Sequence, residues 1–268
     1  EIPHHALYFP TLMHHSMSSL VSWVRITVRL CWMLLSLVTS SVSLSTKRGP
    51  FAFAMSARVS VKEAFCSQFL SVMTQNAAET LAKEPGAIKF ALGGKYDTTV
   101  DSCNVFFFHT QYRSQVDFEH HKATPHFLEY KIFASSDPYT EPPKVQFFEF
   151  RQWEDPAKKG PKSRPIICRN VELSIHPHTK DRFLALMQAI QKKQRQDPYC
   201  LVFDWGESIQ SPTTFHVHEQ YDVEMETCIM KWDEELASEH CVAKPPVINC
   251  FQNMLDESGR REAHVAGQ

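Results

Sequence analysis

From Phe51 onward the chain sets out the same order of elements twice, and this duplication limits the available folds more than any other feature. Apolar residues alternate at Phe51, Phe53, Met55, Ala57, Val59 and Val61, the period of a half-buried strand. A helix from about Lys62 to Leu81 follows, with Phe65, Phe69, Val72, Met73 and Ala77 on one stripe, and it stops at Glu84-Pro85-Gly86. Strands at about Ala87–Gly93 and Asn104–Tyr112, a histidine-bearing helix, a Pro-rich loop and a strand at Val145–Phe150 complete the order βαββαβ. The second set reads strand Ile166–Ile175, helix about Thr179–Gln194, strands Cys200–Trp205 and Thr214–Tyr221, helix about Glu224–Ala237, strand about Val247–Leu255. Landmarks recur at a steady displacement: 114 residues from Phe69 to Phe183, 113 from Pro85 to Pro198, 109 from Tyr112 to Tyr221.

Two such units predict an α+β fold of tandem ferredoxin-like domains. The boundaries expected are a targeting segment at 1–50, a first domain at 51–153, a linker at 154–165, a second domain at 166–257 and a polar tail at 258–268. The linker reads EDPAKKGPKSRP, too rich in Pro, Gly and charge for a packed element.

Charge and cysteine usage narrow the function. Residues 2–62 hold six Lys or Arg and no Asp or Glu, so that with Glu1 and a formal total of −2 the remaining residues 63–268 carry −7. An acidic body lacks a phosphate-binding footprint and argues against nucleic acid as partner. The cysteines are scattered without a CxxC pair, which fits reduced, buried thiols rather than a zinc knuckle or disulfide framework. Near the N-terminus, Arg25 and Arg29 precede the apolar run Leu30–Val38 and then Ser40-Ser41-Val42-Ser43, the order of a secretory signal. About nine apolar residues fall short of the roughly 20 that a spanning helix needs, so no stable membrane span is expected. Abundant Ser and absent acids also suit a plastid or mitochondrial transit peptide; a cytoplasmic location is the alternative.

Chemistry concentrates in Val105–Phe127, VFFFHTQYRSQVDFEHHKATPHF. A buried strand delivers a helix carrying His120, His121 and, past Pro125, His126. Imidazole has an unperturbed pKa of about 6.5, suited to proton transfer near neutrality. A zinc site from His120, His121 and His126 lacks a supporting carboxylate or Cys in the local spacing. No Gly-rich phosphate loop, nucleophile elbow or HExxH pattern occurs.

Two families of βαββαβ units compete. Phe106, Phe107 and Phe108 superficially suggest an RNA-recognition motif, but its Gly-containing pattern is missing and the domain is acidic. Glu84-Pro85-Gly86 followed by a strand, with Tyr112, Phe118, His121, Thr124, Pro125, His126 and Phe127 in order, resembles the antibiotic biosynthesis monooxygenase family. Its Glu-x-Tyr strand motif is altered only at Thr110; the second half keeps Glu219 and Tyr221 but has Met230 and Glu235 where the imidazoles would stand.

The resemblance implies that the two units close into a single-chain version of a dimeric α/β barrel, hence a monomer with an internal pseudo-dimer. It also implies an intact first site and a degenerate second one. The implied activity is oxidation of an electron-rich aromatic or quinol-type small molecule by O2 without a metal, flavin or haem cofactor. His121, His126 and Tyr112 are the implied catalytic residues, and Thr110, Phe118, Thr124 and Phe127 the implied substrate-binding residues. Haem-degrading relatives use an Asn on the first strand with a Trp and a His on the second helix; Asn170 and Trp232 stand at such positions, but the His does not. The alternative is a non-catalytic small-molecule-binding or stress-response barrel, because a fold alone does not assign an activity.

Overall fold

The computed structural model describes residues 51–95, 104–151, 166–222 and 240–255. The expected targeting segment, linker and tail, and the expected second-half helix with Met230, Trp232 and Glu235, lie outside the described residues. The first half comprises β1 (Phe51–Ser60), α1 (Cys66–Lys83), β2 (Ala87–Lys95), β3 (Val105–Tyr112), α2 (Gln115–His121), α3 (Pro125–Ala134) and β4 (Lys144–Arg151). The second comprises β5 (Ile167–Ser174), α4 (Lys180–Gln194), β6 (Cys200–Ser208), β7 (Thr214–Tyr221) and β8 (Val247–Asn253). Each long helix is preceded by a 3-10 turn, Glu63–Phe65 and Pro177–Thr179. The expected single histidine helix is two short ones, because Thr124 and Pro125 begin a new helix one turn after His121.

The eight strands close into one antiparallel barrel in the order β1-β3-β2-β8-β5-β7-β6-β4. Each half contributes a four-stranded sheet whose two edge strands pair with the edges of the other, so β2 meets β8 and β4 meets β6. This closure leaves no strand edge unpaired. Alternation along β3 separates two environments. Phe106 and Phe108 face outward, where they join Phe69, Met73 and Ala77 of α1 and Phe133 of α3. Phe107 and His109 face inward, Phe107 against Phe251 of β8 and His109 stacked on His218 of β7 with ring centroids 3.7 Å apart. The second half repeats the outer layer, with Phe183, Met187 and Ile190 of α4 packed on Phe203, Trp205 and Phe215. Among the described residues no helix is long and apolar enough to cross a membrane.

Both seams require a glycine. A Cβ on Gly93 would collide with the Gln252 carbonyl oxygen across the β2·β8 seam, and one on Gly206 with the Glu149 carbonyl oxygen across the β4·β6 seam. Gly94 has no such restriction, its nearest contact being the end of the Met254 side chain at 3.4 Å. Overpacking of this kind costs about 1–3 kcal/mol. Gly206→Ala should therefore lower the unfolding free energy by that amount, read as a lower denaturant midpoint, and Gly94→Ala should change it by less than about 0.5 kcal/mol. Equal midpoints for the two variants would contradict a close-approach requirement at the seam.

Candidate active site in the first half

Three chain segments converge at the end of β3. Pro85 keeps Glu84 out of the helical region, and its backbone turns extended at φ −104° and ψ 107° as α1 ends. Ser114 caps α2, accepting the Asp117 N–H at 3.2 Å. Thr124 caps α3: its hydroxyl donates to the His121 carbonyl oxygen at 2.7 Å and accepts the Phe127 N–H at 3.4 Å. That cap sets the two imidazoles side by side, with ring centroids 5.5 Å apart.

Glu84 is the hub. Its Oε1 accepts from His121 Nδ1 at 2.8 Å and from His126 Nε2 at 2.5 Å. An ionised carboxylate only accepts, so both imidazoles donate, and in the neutral form of each ring the lone pair is then on His121 Nε2 and on His126 Nδ1. Burial opposes the carboxylate charge, but the hydrogen bonds and charges of His121 and His126 outweigh it and hold Glu84 below its ordinary pKa. His121 Nδ1 also lies 3.4 Å from the hydroxyl of Thr80, which donates to the Asn76 carbonyl oxygen at 2.7 Å.

Around this hub stands an aromatic wall. Phe118 stacks on Phe53 with centroids 5.1 Å apart and meets Tyr112 at 5.5 Å, while Phe127 presents its edge to His121 at 4.9 Å. Tyr112 and Thr110 are fully buried, and their hydroxyls lie beside one another without a well-formed hydrogen bond; the Asn76 side-chain oxygen has no hydrogen-bond partner. Burial, and then the negative charge of Glu84, push the Tyr112 phenol far above its usual pKa, so it stays protonated and can only donate or accept as a neutral hydroxyl.

The sequence-predicted residues therefore come together; of the neighbouring histidines, His120 is exposed and His109 lies inside the barrel on the other face of the sheet. Thr124 spends its hydroxyl on the cap. Sequence reasoning missed the role of Glu84, which it read as a helix stop and part of the family's pattern but not as a site residue, along with Asn76 and Thr80. The available signal was two polar residues on the apolar stripe of α1, three and seven positions after Met73. Glu84 also corrects the argument against a metal: it supplies the carboxylate absent from the local spacing. The donor atoms of Glu84, His121 and His126 lie within 4.8 Å of one another, a set that could hold a divalent transition metal.

The sequence model of the family "antibiotic biosynthesis monooxygenase" (ABM) matches residues 52–131, which contain every residue of this cluster. This stretch is an ABM domain. Solved structures extend the likeness of fold across both halves. A candidate monooxygenase from Lactobacillus acidophilus NCFM is 12% identical, with a TM-score of 0.60 over 76% of this chain and 93% of its own. A candidate monooxygenase from Fusobacterium nucleatum is 11% identical, with a TM-score of 0.64 over 75% and 92%. An anthrone oxidase-like protein is 14% identical, with a TM-score of 0.53 over 76% and 92%. No curated protein sequence matches significantly.

The second half differs from the ABM domain at the corresponding strand. Glu219 stands where the ABM domain has Thr110, and the Tyr221 hydroxyl donates to Glu219 Oε1 at 3.3 Å, with Arg169 Nε 3.7 Å from the other oxygen. The Tyr112 hydroxyl has only the neutral Thr110 hydroxyl beside it.

The hub yields a pH-dependent prediction. A carboxyl whose folded pKa is depressed contributes stability that is complete above its unfolded value, near 4.5, and lost as the pH falls through the folded value. Glu84→Gln should cost about 1–3 kcal/mol at pH 7. That difference should shrink below pH 4.5, where the wild-type carboxylate also takes up its proton. A penalty that does not change with pH would show that Glu84 acts through packing.

Proposed function

We propose that this protein is a monooxygenase that oxidises an electron-rich aromatic or quinol-type ring with O2 in its ABM domain, without a cofactor. The observation that carries the reading is the Glu84–His121–His126 cluster beside the buried Tyr112 hydroxyl. In this scheme Glu84 fixes the His121 tautomer and leaves Nε2 to take the proton from a substrate phenol or acidic ring C–H. Tyr112 donates to the substrate oxygen as negative charge develops, and Thr110, two residues back on the same strand face, lines that position. Phe118 offers a stacking surface, Phe127 holds the outer edge of His121, and His126 passes protons onward. The ionised ring reduces O2: one oxygen atom enters the ring, the other leaves as water, and the ring supplies the four electrons, two from the C–H that becomes C–O and two from the quinol that becomes a quinone, or all four from a ring CH2 that becomes a carbonyl. The fold likeness to an anthrone oxidase-like protein agrees with a fused-ring substrate of this class.

One observation favours the non-catalytic alternative, a small-molecule-binding barrel. His121 and His126 are 2% and 7% exposed, and each already donates to Glu84. Oxygen uptake with a naphthalene-diol quinol, after exhaustive chelation, separates the readings. The wild-type chain should consume O2, and His121→Ala should reduce kcat by about 10²–10⁴-fold, the usual worth of a general base. Tyr112→Phe should also lower kcat, by removing a donor to the developing oxyanion. Turnover unchanged by His121→Ala would exclude it as the base. Loss on chelation with restoration by one divalent metal would replace the cofactor-free scheme by one centred on Glu84, His121 and His126.

A further inference from the structure

The end of α1, α2 and α3 each send one ligating atom to a common point: Glu84 Oε1, His121 Nδ1 and His126 Nε2. The carboxylate oxygen is 2.8 and 2.5 Å from the two nitrogens, and all three atoms lie within 4.8 Å of one another. A tetrahedral zinc ion holds such ligands at about 2.0–2.2 Å, so that neighbouring donor atoms stand roughly 3.3 Å apart. The carboxylate has to draw back and the nitrogens to close, each by about 1 Å, which side-chain rotation supplies.

The surroundings suit an ion. The Thr124 hydroxyl fixes the His121 carbonyl oxygen, and the rings of Tyr112 and Phe127 stand 5.4 and 4.9 Å from the His121 ring, contacts that hold a ligating imidazole in orientation. Lys83 and Lys122, the basic residues adjoining Glu84 and His121 in the chain, are paired with Glu79 and Glu119. Two imidazoles and one carboxylate select zinc, copper or nickel over magnesium and calcium, which take oxygen ligands, and leave a fourth position for water.

We propose that these three atoms form an inhibitory site for a divalent transition metal, represented by Zn²⁺, and that the bound ion switches the base off by changing its tautomer. The inhibition rests on the reading of His121 as general base; the binding does not. Without the ion, the neutral His121 ring carries its proton on Nδ1 and its lone pair on Nε2. An ion at Nδ1 takes the lone pair there, so the one N–H proton of the neutral ring stands on Nε2. The ring gains and loses no proton overall, but the nitrogen that accepts the substrate proton is already protonated. His126 changes in the opposite sense, from Nε2–H to Nδ1–H, and Glu84 exchanges two N–H donors for the ion.

Zinc titration of the chelator-treated full chain, read by calorimetry, imidazole ¹⁵N shifts and oxygen uptake with the quinol, tests the proposal. The chain holds 14 histidines, so the site is read as a difference between wild type and variants. The wild type should bind one equivalent of zinc at least about tenfold more tightly than His126→Ala or Glu84→Gln. His120→Ala, at an exposed position of α2, should match the wild type, and magnesium should not bind. Saturating zinc should move the His121 proton from Nδ1 to Nε2 and slow oxygen uptake by about 10²-fold or more, and a chelator should reverse both. Equal zinc affinity in the wild type and both ligand variants, or His121 ¹⁵N shifts unchanged at saturation, overturns the site. Oxygen uptake accelerated by zinc overturns the inhibitory role. The zinc-driven proton shift in a chain that never consumes O2 supports the site and sinks only the monooxygenase reading.

Discussion

Everything in this barrel depends on pairing four open sheet edges. A βαββαβ sheet has two unpaired edge strands and an apolar face, and either alone makes an isolated unit prone to association. The duplicated chain meets both needs internally, through the β2·β8 and β4·β6 seams. Near the pseudo-twofold centre, His109 and His218 lie ring on ring, 3.7 Å apart and 6° from parallel. Their surroundings match: His109 contacts Ser56 at 2.8 Å and Gln111 at 2.9 Å, and His218 contacts Asn170 at 2.7 Å and Gln220 at 3.1 Å. Burial, with nearby positive charge, lowers the pKa of both, so the stack is of two neutral rings and no like-charge repulsion opposes closure.

Much of this was legible in the sequence because duplication leaves a record in spacing. The displacement of 109 that relates Tyr112 to Tyr221 also relates His109 to His218, and that of 114 relates Phe69 to Phe183. Strand alternation and the apolar stripe of α1 gave the outer layer. The inner layer was not legible, since a barrel interior tolerates polar residues that satisfy one another, and local alternation cannot distinguish such a face from solvent. Hence Asp204, which accepts from Gln111 at 2.7 Å, carried no signal of burial.

The candidate site shows the same division. Tyr112, Phe118, His121, His126 and Phe127 sit on one short stretch, so a local pattern could find them. Glu84 lies 37 residues before His121, and its role exists only after α1, β2 and β3 have folded against α2. The two halves share a scaffold and differ in how they use it. In one, a carboxylate organises two imidazoles beside a buried phenol; in the other, Glu219 accepts from the tyrosine and lies beside Arg169.

Glu84 orients both imidazoles through its hydrogen bonds to His121 Nδ1 and His126 Nε2, which leaves His121 Nε2 as the bare nitrogen of a neutral ring. Imidazole ¹⁵N chemical shifts measured at pH 8 test it directly. The account predicts a protonated Nδ1 and an unprotonated Nε2 for His121, with the reverse for His126, and loss of this fixed pattern in Glu84→Gln. A His121 protonated at Nε2 with a bare Nδ1, or a pattern unchanged by Glu84→Gln, would contradict it.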